Sequence, residues 1–183
     1  MIEMIFAIAV IGIGLLAACT LVFSNLALSL RDKDEVVAIN LAREGLELSK
    51  NLRDSNWLAG NAFDAGLIGS GTPKWNGVDS GFSFNFPVND FSDSRTKIMF
   101  SDNAAAPKFM ANYDSGVTGA TSTFSRLIVF HPICNTLLVL DPPATCAGSG
   151  LSKIGVRVES HIQWSLQGRL KDTVMYDDLY DWR

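Results

Sequence analysis

From Met4 to Leu30 the chain carries no charged side chain in 27 consecutive positions, and a single acid, Glu3, stands immediately before that run. As a helix rising 1.5 Å per residue, such a run spans about 40 Å, enough to cross the hydrocarbon of a bilayer. Glu3 is the anomaly. A carboxylate at the edge of hydrocarbon is costly unless a positive charge meets it, and the apolar run supplies none, so Glu3 predicts a partner charge from elsewhere. A secretory signal fits poorly, because its apolar core runs about 7–15 residues behind a basic flank. A plain single-span anchor fits the composition, but an anchor gains nothing from an acid at this place.

Length and charge bound the remainder. The chain has 183 residues, so with the first 30 committed to a membrane span or a filament core, about 150 remain for one globular head. Apolar residues make up 48% and charged residues only 19%, an excess that the N-terminal span explains. Net charge is −4, and the chain has no basic cluster beyond Arg31 and Lys33. Nucleic-acid binding as the main task is disfavoured, since no stripe of Lys and Arg is available to neutralise phosphates.

The opening Met1-Ile2-Glu3-Met4-Ile5-Phe6-Ala7-Ile8-Ala9-Val10-Ile11 resembles the start of a mature type IV pilin, a family whose N-terminal helix begins with an apolar residue, glutamate and a further apolar residue before an Ala- and Ile-rich run. The resemblance implies the type IV pilin fold: a long helix whose apolar half projects, whose amphipathic half packs on an antiparallel sheet, and a disulfide near the C-terminus. It also implies a precursor held in the inner membrane, a prepilin peptidase that removes a short leader, and an assembly machinery that polymerises the chain. The product is an extracellular filament, a helical homo-oligomer joined by possible minor pilins. In that setting the Glu3 carboxylate pairs with the N-terminal ammonium of the preceding subunit and sets register. The family glutamate follows four mature residues and here follows two, so two residues and the leader are expected upstream of Met1. Gly12 and Gly14 each cost about 1 kcal/mol of helix stability relative to Ala. They read either as close helix packing through small residues or, as the resemblance implies, as a point of local unwinding on assembly.

Charge resumes at Leu30-Arg31-Asp32-Lys33-Asp34-Glu35 without Pro or Gly, so the helix is expected to continue. Val37, Leu41, Leu48 and Leu52 recur near helical spacing beside Ala38, Ala42 and Gly45, while Arg43, Glu44, Glu47, Lys50 and Arg53 take the other side. Asp54-Ser55-Asn56 gives the expected stop. Residues 57–123 are rich in Gly, Ser, Asn and Asp and read as a loop-dominated connector. Within it, Phe82, Phe84 and Phe86 alternate as a short strand, and 96–100 and 108–113 are further strand candidates. Gly116 to Ser125 reads as a polar turn or an acceptor of O-linked sugar.

The sheet is expected over 124–183. Val156, Val158, Ile162, Trp164 and Leu166 alternate with Arg157, Glu159, His161 and Gln163, one face core and the other wet. Gln167-Gly168 supplies a turn, after which Leu170, Val174 and Tyr176 fall on one parity of the returning strand. Phe124 to Phe130 adds a neighbour. With the amphipathic helix as the sheet's cover, the fold class is α+β: a 1–30 apolar helix and a 31–183 head.

Cys134 and Cys146 have 11 residues between them, with Asp141-Pro142-Pro143 as a bend. In a head outside the cytoplasm this pair reads as a disulfide, in keeping with the family, worth about 2–3 kcal/mol. A metal site with His131 nearby is the alternative, although no further ligand completes a tetrahedral set. Cys19 reads as a packing residue in the apolar helix. His131 and His161 read as ordinary surface or edge residues. No catalytic motif is present, so neither an enzyme nor a cofactor is expected. Asp177, Asp178 and Asp181 interleave with Leu179, Tyr180 and Trp182, as a packed terminal segment does, with calcium the lesser reading. Ala42-Arg43-Glu44-Gly45 and Asn51-Leu52-Arg53-Asp54-Ser55-Asn56-Trp57 resemble the helix end of pilin-like proteins of minor type. A minor pilin or a type II secretion pseudopilin therefore stays open beside the main subunit. An adhesive or DNA-binding head and a membrane-anchored surface domain stay open too.

Overall fold

A computed structural model describes residues 2–76, 81–101, 109–111, 119–166 and 168–181. One helix, α1, runs from Ile2 to Leu58. The chain divides into two compact units, Met1–Val37 and Ala38–Arg183, and the division falls inside this helix, past the charged stretch at 31–35. The coarse class is α+β: a long N-terminal apolar helix and an antiparallel sheet.

Helix α1 runs beyond the expected stop at Asp54. It ends at Leu58, closed by Gly60, which takes φ +72°. The Gly60 N–H donates to the Trp57 carbonyl at 3.1 Å and the Asn61 N–H to the Asn56 carbonyl at 2.9 Å, the paired bonds of a glycine-closed helix end. Buried Asn56 then donates from Nδ2 to the Ala65 carbonyl at 2.8 Å and the Phe63 carbonyl at 3.3 Å, tying the following loop to the last turn.

Among the described residues the second unit has seven strands: β1 (Gly69–Trp75), β2 (Phe82–Asn85), β3 (Lys97–Ser101), β4 (Phe109–Ala111), β5 (Gly119–Cys134), β6 (Lys153–Leu166) and β7 (Arg169–Tyr180). The pairings among the described residues are antiparallel. The long β5 carries β1 and β3 along one edge and β6 along the other, and β6 pairs on with β7. β5 extends past Phe130 through Pro132, which has no N–H to give a ladder. The Pro132 carbonyl accepts from Leu140 N at 3.1 Å. A strand residue's N–H and C=O point to one side, so the missing donor lies on that same side, where β1 has already ended opposite Phe130.

The connector over 57–123 is therefore less loop-like than its composition. It holds β1 to β4 and the start of β5. β1 is Gly69-Ser70-Gly71-Thr72-Pro73-Lys74-Trp75, poor strand material, and it exists because β5 and β2 pair with it on its two edges. A Cβ at Gly71 would collide with the Asn85 carbonyl and the Phe86 ring, so the close approach of β2 requires glycine there. The 108–113 candidate is present as β4, with Lys108, Asn112 and Tyr113 outside the described residues. Residues 119–125 of the expected polar turn are strand, and 116–118 lie outside the described residues.

From Ala38 onward α1 lies on the sheet. Leu41 is buried, but Leu48 and Leu52 are only half-buried. The centre of the contact is a line of small side chains, Ala38, Ala42, Gly45 and Ser49, flanked by Leu46, which the expected stripe left out. A Cβ at Gly45 would stand 2.5 Å from Ser160 Oγ and 2.9 Å from Ile128 Cδ1, so glycine lets the helix settle against β5 and β6. The core joins Leu46, Trp57, Ile128, Phe130 and Val158, with the Phe84 ring edge-on to Phe130 at 5.0 Å.

β7 turns the opposite way from the expected apolar parity. Leu170, Val174 and Tyr176 are exposed, whereas Met175 and Leu179 join the core. The register decides this: Leu170 pairs with Ser165, Val174 with His161 and Tyr176 with Glu159, so all three share the wet face of β6. Gly168 in the intervening turn takes φ +76°, and Gln167 lies outside the described residues. Arg157, also on that face, stacks over the Tyr176 ring at 5.0 Å and binds Asp178 at 2.7 and 3.0 Å.

Candidate assembly segment

Glu3 lies in the first turn of α1, where the positive end of the helix dipole favours a carboxylate. The nearest cation along the sequence is Arg31, 28 positions on, so no basic side chain of the apolar run can neutralise it. Met1 lies outside the described residues. From Ile2 to Leu28 the large apolar side chains are exposed without interruption, Ile2 to 82% and Phe6 to 72%. By length and composition α1 suffices to cross a membrane. Two of the polar side chains in the uncharged run are satisfied within the helix: the Thr20 hydroxyl donates to the Ala17 carbonyl at 2.8 Å and the Ser24 hydroxyl to the Leu21 carbonyl at 2.9 Å.

Gly12 and Gly14 are helical, and a Cβ at either would meet no atom within 4 Å. The monomer makes no use of their smallness. Cys19 is a free, exposed thiol on the same helix.

The head's loop of 134–146 is closed by a disulfide between Cys134 and Cys146, with 2.06 Å between sulfurs and both residues buried. Its base is tied by Cys134 N to the Leu138 carbonyl at 2.9 Å, Leu151 N to the Cys146 carbonyl at 2.9 Å and Asn135 N to the Ser152 carbonyl at 2.9 Å. His131, expected after its strand at the surface, is instead inside β5 and buried. Its Nδ1 faces Asp141 at 3.1 Å rather than either sulfur. Its Nε2 lies 3.6 Å from Glu159 Oε2, and His161 Nε2 lies 3.2 Å from the same oxygen. Both histidines of the chain thus meet one carboxylate. This was not legible beforehand, since it needs the β5–β6 register that sets Val129 opposite Glu159 and Leu127 opposite His161. Among the described residues no group of three or more His, Cys, Asp or Glu is arranged to hold a metal ion.

The acidic end of β7 does not converge either. Asp177 reaches Lys50 of α1 at 2.9 Å, while Asp178 binds Arg157 on the sheet's other face. Donation to the Asp177 carboxylate, helped by donation to Glu47 at 3.1 Å, holds the Lys50 ammonium above its ordinary value. Sequence reading also passed over Arg126. It is 1% exposed between β5 and α1, with Nη1 donating to the Leu41 carbonyl and to Glu44 Oε2, each at 3.0 Å.

No protein-family model, curated protein or solved structure matches this chain. The features on which a function can be built are therefore its own: an uncovered apolar helix, one acid at its tip, and an α+β head with a tied loop.

Proposed function

We propose that this chain is the structural subunit of a surface filament of the type IV pilus kind, stored in a membrane by its N-terminal helix and polymerised through it. The observation that carries the reading is the continuous exposed apolar surface from Ile2 to Leu28 with one acid ahead of it. Such a surface demands lipid or other apolar helices, and bundled copies of the same helix satisfy it outside the membrane. Glu3 gives the bundle its register. Its carboxylate pairs with the terminal ammonium of a neighbouring subunit, and a misplaced subunit would leave a desolvated charge unpaired at a cost of several kcal/mol. Gly12 and Gly14 give neighbouring helices room to approach, or the helix a place to loosen.

Glu3→Ala tests this. The variant is expected to insert in membranes with a folded head but to yield few filaments. Abundant filaments from Glu3→Ala would remove Glu3 from assembly. The second reading, a minor pilin or secretion pseudopilin, is favoured by the Ala42-Arg43-Glu44-Gly45 and Asn51-to-Trp57 segments. It predicts the same membrane behaviour with the chain as a trace component of a filament made mainly of another subunit.

A further inference from the structure

We propose that the head binds a single alkyl chain, in the open-sided cavity between the start of β1, the C-terminal part of β5 and the disulfide loop. The cavity measures about 710 Å³, within the range of about 300–1,000 Å³ that small-molecule sites occupy. Its floor is core: Leu67 and Phe130 are each 1% exposed, and Cys146 is buried beside them. Phe86 and Pro132 complete the apolar wall. Pro142 and Pro143 also line it and bring no backbone donor, so the interior is poor in hydrogen-bonding groups.

The polar residues sort by position. Thr145 and Ser152 are exposed, at the mouth rather than on the floor, and the third hydroxyl of the lining, half-buried Ser70, donates to Asn89 Oδ1 at 3.3 Å. Lys153 Nζ is engaged by Asp64 at 2.5 Å. The buried side-chain atoms without a hydrogen-bond partner among the described residues are Thr72 Oγ1, Arg126 Nε, His131 Nε2, Ser160 Oγ and Trp164 Nε1, and none belongs to this lining. No buried side chain of the lining therefore asks a ligand for a hydrogen bond, which disfavours sugars, nucleotides and free anions, whose polar groups would find few partners there. An amphiphile fits: apolar tail on the Leu67 and Phe130 floor, polar head in water beside the exposed Thr145 and Ser152. The walls resist collapse onto an empty space. The disulfide fixes one side, the Val88 N–H donates to the Ser70 carbonyl at 2.9 Å on another, and the Lys153–Asp64 pair closes a third. Apolar cavities that cannot collapse gain free energy when an apolar ligand fills them.

The tail can come from a membrane lipid or from a free fatty acid, and the test separates them. Full-length chain in phosphatidylcholine nanodiscs is exposed either to palmitic acid bearing a terminal diazirine or, in a second arm, to phosphatidylcholine bearing the same tag on one acyl chain. After illumination, adducts are mapped by peptide mass spectrometry. The expected result is labelling of the segments 67–70 and 142–153 in at least one arm, competed by untagged palmitic acid, with the arm naming the source. Ala144→Trp, which fills the mouth from an exposed wall position, is expected to lose these adducts and keep those on the Ile2–Leu28 helix. Ala147→Trp does the same from a second position and covers a folding failure of the first. Labelling of the helix alone in both arms would overturn the proposal, as would cavity adducts undiminished in both Trp variants. Failure of the helix itself to label would count against the membrane reading and not against the cavity.

Discussion

Arg126 and Glu44 form a pair whose two halves should respond oppositely to deletion. Glu44→Ala leaves a guanidinium that is 1% exposed with the Leu41 carbonyl as its remaining acceptor of the two, and Arg126 Nε already has no partner among the described residues. Breaking a buried pair from the anionic side costs about 3–5 kcal/mol. Glu44 keeps a third of its side chain exposed, which weakens the pair through solvent screening. Alanine also returns a few tenths of a kcal/mol in helix propensity, so the expected loss is about 2–3 kcal/mol. For a head of this size that lowers the melting temperature by roughly 5–10 °C. Arg126→Met removes the buried charge together with its orphaned Nε, and Glu44 can turn to water, so its stability should equal or exceed that of the wild type. In the double variant the Glu44→Ala loss should vanish, a coupling of about 2–3 kcal/mol. Thermal melts of the full chain in detergent, followed by near-ultraviolet circular dichroism, read head packing through Trp57 and Trp164. If Arg126→Met were destabilised as much as Glu44→Ala, the guanidinium would be a net source of stability and the reasoning would fail.

Other outcomes follow from single contacts. Gly45→Ala gains about 1 kcal/mol of helix propensity but overpacks against Ser160 and Ile128 at a cost of about 1–3 kcal/mol. It should destabilise in the wild-type background and stabilise once Ser160→Ala and Ile128→Val have removed the two opposing atoms; melts of both backgrounds check the reversal. Replacing Cys134 and Cys146 by Ser opens a loop of 12-residue separation and should cost about 3 kcal/mol by denaturant titration. Lys50 sits above its ordinary value because of Asp177 and Glu47. A raised lysine stabilises fully below the unfolded value of about 10.4 and loses the effect as pH rises through the folded one. Lys50→Met should therefore be less stable than the wild type at neutral pH, with a deficit that shrinks under strong alkali; a deficit that grew there would contradict the assignment.

What could be read in advance, and what could not, divides by the range of the interaction. The uncharged run, the unbroken passage through Arg31–Glu35 and the 2-residue alternation of 156–166 are local patterns, and local geometry reproduces them as α1 and β6. Even the helix end had a local signal in Gly60, overlooked because Asp54-Ser55-Asn56 looked like a stop. β1 had no local signal: its two glycines and proline become a strand because β5 and β2 flank them. The facing of β7 depends on register, and Leu170, Val174 and Tyr176 lie outward because their partners on β6 do. Arg126 carried no signal of its own in the sequence, because its role depends on α1 placing Glu44 and the Leu41 carbonyl within reach. The apolar helix with Glu3 was plain in the sequence, since its exposure follows from composition, whereas the cavity required the disulfide loop to be laid over the end of the core.

The central claim is that the Ile2–Leu28 surface serves polymerisation. Filaments sheared from the source cells, with this chain quantified by mass spectrometry including its N-terminal peptide, test that most directly. The chain is expected to dominate the sheared fraction, with its terminal amine available to meet Glu3 of a neighbour. Presence in membranes with absence from filaments would contradict it and leave α1 as an anchor.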